Sequence, residues 1–152
     1  MAILGSLLTI GCGSQSRDIP SDVPLSENPL PACPGSPNCI RTTKVFEVPA
    51  AKLFPVAIDS LCELNPKKLI LPQEEYTIKS VFKVMFFNDD MTIKLTQRDS
   101  ATTLVHLRSA SRVGQSDLGV NRRRVNTFIK NLRDQLTNTT DKMASSNLNT
   151  GQ

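Results

Sequence analysis

The feature that most constrains this chain is the alternation that starts at Tyr76. Tyr76, Ile78, Ser80, Phe82, Val84 and Phe86 share one face, while Thr77, Lys79, Val81, Lys83, Met85 and Phe87 share the other. A side-chain period of two marks a β-strand. Asn88-Asp89-Asp90 then supplies turn chemistry. Met91, Ile93 and Leu95 alternate with Thr92, Lys94 and Thr96, which predicts a returning strand with one polar face. Arg98 to Ala101 turns again, and Thr102–Ser109 reads as a third strand. Strands joined by such short links run antiparallel. The result is a meander with one apolar face, and that face has to be covered.

Two amphipathic segments are available to cover it. Phe54, Ala57, Ile58, Leu61 and Leu64 recur at helical spacing. Pro55 is tolerable only in a first turn, which sets the expected helix start near Leu53, and Asn65-Pro66 ends it. Val125, Phe128, Ile129, Leu132 and Leu136 form a second helical stripe, with Asp117 expected as its N-cap and Ser116 as competitor. Lys44–Val48 and Lys68–Leu71 read as short strands. The expected fold is therefore α+β: an antiparallel sheet of about four to five strands packed on two helices, the C-terminal one longest.

The first 11 residues, MAILGSLLTIG, are apolar and uncharged and lead straight into Cys12. Eleven residues cannot span a bilayer, which takes about 20, but they suit the apolar core of a secretory signal. Thr9-Ile10-Gly11 before Cys12 resembles a bacterial lipobox, although Leu is usual where Thr9 stands and no basic residue precedes the run. A start codon placed upstream would supply the missing basic residues. An acylated Cys12 would carry the chains needed for stable membrane attachment. The expected organisation is a signal over 1–11, a proline-rich polar tether over 12–32, one α+β domain over 33–137 and a disordered polar tail over 138–152. The expected location is the cell envelope, extracytoplasmic and membrane-anchored through lipidated Cys12.

Cysteine usage agrees with an oxidising compartment. Cys33 and Cys39 bracket Pro34-Gly35-Ser36-Pro37-Asn38, rich in turn formers, so a structural disulfide is expected there rather than a redox centre. Cys62 falls at an apolar helical position and is expected to be a buried, inert thiol. With 18 Lys+Arg against 14 Asp+Glu, the net charge of +4 is too small to argue for nucleic acid. One tyrosine, no tryptophan and no zinc-finger spacing point the same way, so no nucleic-acid partner is expected.

The least ordinary stretch runs from Arg108 to Arg124, RSASRVGQSDLGVNRRR, with five arginines, three serines and two glycines in seventeen residues. Its part from Arg108 to Arg122 resembles the signature of the domain of unknown function 1499 family. Two further blocks agree in order and spacing: Cys33-Pro34-Gly35-Ser36-Pro37-Asn38-Cys39 resembles that family's N-terminal cysteine motif, and Phe87-Asn88-Asp89-Asp90 its acidic pair. The sequence departs at Thr92, where members often carry an acid, which puts any scheme of three carboxylates in doubt. The resemblance implies a bacterial envelope or chloroplast-type protein, often exported, and implies no activity.

The residues of a polar cluster are Asp89, Asp90, Arg108, Ser109, Ser111, Arg112, Asp117, Asn121 and Arg122. One reading is an anion or polar-ligand site, with arginines binding carboxylate or phosphate through paired hydrogen bonds and the helix start adding donors. The other is internal: Arg108 and Arg112 answer Asp89, Asp90 or Asp117 and lock the crossover, in which Gly114 is placed for a positive φ. Arg122-Arg123-Arg124 reads as a solvated face or an anionic-membrane contact. His106, the only histidine, sits mid-strand, where packing is the ordinary role. Asp89, Asp90 and Asn121 offer oxygens to a hard cation, but no EF-hand spacing exists, and neither metal nor cofactor is expected. The two functional expectations are a lipid-anchored binding module for a protein or anionic small molecule, and an envelope enzyme using Asp89 or Asp90 as acid/base on an anionic substrate.

Overall fold

The computed structural model describes Pro24 and residues 27–35, 37–114 and 116–147, with side chains described as far as residue 139. The leader over 1–11 and Cys12 lie outside the described residues. The elements are β1 (Cys39–Phe46), α1 (Ala50–Cys62), β2 (Lys68–Ile70), β3 (Thr77–Val84), β4 (Phe87–Gln97), β5 (Thr103–Ser111) and α2 (Val120–Asn147). They form the expected α+β fold. One five-stranded antiparallel sheet, ordered β1-β5-β4-β3-β2, has both helices on one face.

Core and strand period match. Ile78 and Phe82 of β3, Met91, Ile93 and Leu95 of β4, and Val105 and Leu107 of β5 are buried with Leu53, Ala57 and Leu61 of α1 and Val125, Phe128, Ile129 and Leu132 of α2. The meander β3-β4-β5 is present, but its first turn is elsewhere. Val84 pairs with Phe87, so Met85-Phe86 is a two-residue hairpin loop with Met85 at φ 54°. Asn88, Asp89 and Asp90 lie inside β4. Their turn propensity is overridden because the strand brings the two aspartates within reach of Arg124 and Arg112, as described below.

Other boundaries move for local reasons. α1 starts at Ala50 rather than Leu53, since Pro49 accepts the first helical amides and the Ala50 amide donates to Gln97 Oε1 at 2.6 Å, a cap supplied from β4. Cys62 is exposed rather than buried: it ends α1 beside the inward-facing Leu61, one position off the buried stripe. α2 continues helical to Asn147, past the last apolar repeat at Leu136, because propagation adds one backbone bond per residue once a helix is nucleated. Among the described residues no helix is long and apolar enough to cross a membrane.

Cys33 and Cys39 are joined by a disulfide, Cα atoms 5.6 Å apart, consistent with an oxidising, extracytoplasmic environment. Packing begins before it. Asn28 donates to Thr42 O at 2.9 Å, Arg41 reaches Asn28 O, and Leu30 is buried, so this segment straps the outer face of β1 and β5. His106 is buried on that same outer face, with Nδ1 2.9 Å from Thr43 Oγ1 and Nε2 3.2 Å from Thr96 Oγ1. Burial, with the nearby charges of Lys94 and Arg41, lowers its pKa from 6.5 to about 4. The folded value lies below the unfolded one, so the unfolded chain binds the proton first as pH falls. The histidine's contribution is complete above about 6.5 and is lost as pH drops toward about 4, with a slope of at most about 1.4 kcal/mol per pH unit. Urea unfolding midpoints between pH 7 and pH 4 are expected to fall in the native chain and to fall less steeply in His106→Gln.

Candidate functional site

The cluster drawn from the sequence is divided by the sheet. Successive strand residues face opposite ways, so Asp89, Ser109 and Ser111 point toward α2 while Asp90 and Arg108 point outward. One set is buried under the helix and the other stands in solvent.

On the helix side the centre is an ion pair. Arg124 Nη2 donates to Asp89 Oδ2 at 2.8 Å, and the two side chains are only 7% and 2% exposed. The same guanidinium donates through Nη1 to Asn121 Oδ1 at 2.7 Å and Ser109 Oγ at 3.1 Å. Its Cζ also lies 4.4 Å from the centroid of the Phe82 ring, a cation–π contact. Ser109 Oγ in turn donates to Asn121 Oδ1 at 2.5 Å. Asn121 Nδ2 lies 2.7 to 3.1 Å from Asp117 Oδ2, Ser111 Oγ and Asn38 O. A charge taken out of water needs this degree of satisfaction, since an unpaired buried ion costs several kcal/mol.

Asp117 caps the helix, but from a position outside it. Leu118 and Gly119 adopt φ of 52° and 76°, α2 starts at Val120, and Asp117 accepts from the amides of Gly119 at 2.9 Å and Asn121 at 2.6 Å. Burial opposes its ionisation, yet the hydrogen bonds from Asn121 and Gly119 outweigh it and hold the carboxyl below the ordinary range. The crossover also needs Gly114, at φ 91°, whose carbonyl accepts from Asn38 Nδ2. Asn38 thereby ties the disulfide loop to both the crossover and the helix start.

On the outer face Arg112 grips Asp90 with two hydrogen bonds, Nε to Oδ2 at 2.8 Å and Nη2 to Oδ1 at 2.7 Å, both residues about half exposed. Arg108 meets neither aspartate; its Nε donates to Pro31 O at 3.1 Å and fastens the N-terminal strap. Arg122 is exposed and joins neither group. Arg124, assigned to a solvated face by its place in an arginine run, is the residue sequence reasoning missed. The signal was available: extending the stripe Val125, Phe128 and Ile129 back by one turn gives Asn121 and Arg124.

This geometry limits the chemistry. Asp89 and Asp90 face opposite sides of one strand, so they cannot act as a carboxylate pair or share one cation. Each is already engaged by an arginine. His106 lies on the outer face between two threonines and forms no part of a nucleophile-base arrangement with Asp89.

One opening beside the network is apolar. Where the β3–β4 hairpin meets the β5–α2 crossover, a cleft of about 280 Å³ is lined chiefly by Val84, Met85, Phe87, Val113, Leu118 and Val120, with Asp89, Ser111 and Asp117 also bordering it.

Fold and site together define an antiparallel-sheet domain locked to its C-terminal helix by a buried arginine–aspartate network. The chain belongs to the family described as Protein of unknown function (DUF1499), whose model matches residues 29–132. No curated protein matches the sequence. Among solved structures it is similar to a START superfamily protein from Mycobacterium smegmatis, with 8% identity over 69% of this chain and 98% of that one and a TM-score of 0.46. A conserved protein from Geobacillus kaustophilus matches at 12% identity over 65% and 95%, TM-score 0.39. The Zhui aromatase/cyclase from Streptomyces sp. R1128 matches at 11% identity over 74% and 96%, TM-score 0.30. Identities and scores this low say nothing about a shared ligand.

The two arginine–aspartate pairs separate by mutation. Arg124→Met strands a buried carboxylate and is expected to cost about 3–5 kcal/mol, read from urea denaturation. Arg112→Ala breaks an exposed pair and is expected to leave the unfolding midpoint nearly unchanged.

Proposed function

We propose that this chain is an extracytoplasmic, lipid-tethered binding domain with no catalytic group of its own, taking an apolar ligand at the hairpin–crossover cleft. One observation carries the reading: Arg124 and Arg112 are taken up by Asp89 and Asp90, and the cleft bordered by Asp89 at the hairpin–crossover junction is apolar. At about 280 Å³ the cleft sits at the lower edge of small-molecule sites, which suits a short alkyl chain or a single ring. Ser111 and Asp117 at its border would orient a donor on such a ligand. The tether reading draws its support from the apolar leader, the lipobox-like residues before Cys12 and the disulfide. An acid/base role for Asp89 or Asp90 has no support from their geometry, since each is engaged by an arginine.

Two measurements test the two halves separately. The neutral apolar probe N-phenyl-1-naphthylamine is expected to gain fluorescence with the purified protein, and Val113→Asp to remove that gain without changing the melting temperature. No gain with the native protein would sink the cleft reading. In cells, palmitate labelling is expected in the native chain and absent in Cys12→Ser; equal labelling of both would remove the tether.

A further inference from the structure

Two features at one end of the molecule lie outside the buried network. The first is apolar and convex. The β3–β4 hairpin tip carries Met85 and Phe86 at 78% and 88% exposure, and Leu118 beside it is 85% exposed. Phe87 and Val113 are exposed as well, and Met85, Phe87, Val113 and Leu118 ring the same cleft mouth. Contiguous exposed apolar residues of this kind mark interaction surfaces.

The second is electrostatic. β2 is three residues long and reaches only Val81 on its neighbour, so the β3 edge at Phe82 and Lys83 is left uncovered. A groove of about 680 Å³ opens there between the Leu64–Lys67 loop and the first turns of α2. Its charged lining residues are Lys67, Lys83, Arg123 and Arg124, with no acid among them. Arg124 is neutralised by Asp89. Lys67 and Lys83 are exposed and form no ion pair among the described residues. Arg123 donates to Leu118 O at 2.8 Å, which places a cation on the apolar rim itself. The acids of this end are occupied: Asp117 by the helix amides and Asp90 by Arg112.

We propose that this end docks on an anionic lipid bilayer, with Met85, Phe86 and Leu118 entering the interfacial layer and Lys67, Lys83 and Arg123 meeting lipid phosphates. An apolar wedge bordered by unpaired cations is complementary to such a surface, which is apolar beneath a layer of negative charge. A second copy of the chain is a poorer occupant, because a two-fold contact through this patch would set its cations against their own counterparts. The inference rests on the tethered reading for its setting. From Cys12 to Asn28 the chain can extend about 50 Å, enough to let either end of a domain this size reach the anchoring surface. Bound in this way, the cleft mouth would open against the bilayer.

The chain has no tryptophan, so one introduced tryptophan reports its own surroundings in the full-length protein, whatever other segment touches lipid. Phe86→Trp is expected to shift its emission to the blue with phosphatidylglycerol vesicles and to be quenched by acyl chains brominated near the headgroup. Phosphatidylcholine vesicles and inorganic phosphate should produce no shift. Leu71→Trp, at an exposed site beyond β2 and toward the opposite end of the sheet, should not respond. Charge reversal of Lys67 and Lys83 to Glu together is expected to weaken vesicle affinity at least about tenfold, since each cation near the surface contributes about fivefold. Met85→Trp provides a second reporter should the first disturb the hairpin. A tip that stays in water while the protein floats with vesicles would overturn the proposal. So would equal insertion into phosphatidylcholine, or a concentration-dependent blue shift without lipid, which would assign the tip to a second copy. Absence of palmitate labelling in the native chain, or equal labelling of the native chain and Cys12→Ser, would remove the tether and leave this readout untouched.

Discussion

The structure depends on the pairing of Arg124 with Asp89. The pair joins the start of the long helix to a central strand of the sheet, and it does so where both side chains are almost fully out of water. An ion pair in that position is not cheap, and a hydrophobic substitute of similar shape would often be as stable. What it contributes is position. The guanidinium has one arrangement that reaches Asp89, Asn121 and Ser109 while lying over Phe82. Sliding the helix along the sheet would leave at least one of these groups unpaired in a dry environment.

Around this pair the signature block performs three tasks. Asp117 and Asn121 settle the helix start, Ser109 and Ser111 supply hydroxyls from the strand, and Gly114 permits the bend between them. The disulfide loop joins the same arrangement through Asn38. Cysteine motif, acidic pair and arginine-serine block are three distant stretches that converge on one end of the sheet. Arg112 with Asp90 and Arg108 with Pro31 repeat the pattern more weakly on the outer face, where water shares the polar groups.

Internal satisfaction of those charges turns attention to what they do not use. The hairpin tip and crossover loop present apolar side chains, and the uncovered edge of β3 presents cations. The same end of the molecule therefore has a hydrogen-bonded base and an exposed apolar and cationic rim. A rigid base is what a small apolar wedge needs, because ordering a mobile loop on binding would offset much of the gain.

Much of the fold was legible in the sequence. The period-two runs, the two helical stripes and their covering of one sheet face follow from the need to bury apolar faces, and they stand as expected. The family was legible because the block from Arg108 to Arg124 is unusual in composition as well as order. What the sequence could not decide was which aspartate answers which arginine. Turn-prone Asn88-Asp89-Asp90 became strand, Asp89 and Asp90 parted to opposite faces, and Arg124 left a run of solvated arginines to become the centre of the core's polar network. Charge pairing over thirty-five residues depends on strand register and helix rotation, and a shift of one residue sends a side chain to the other face. Local propensity identified which residues were unusual; only the tertiary packing decided which of them water could still reach.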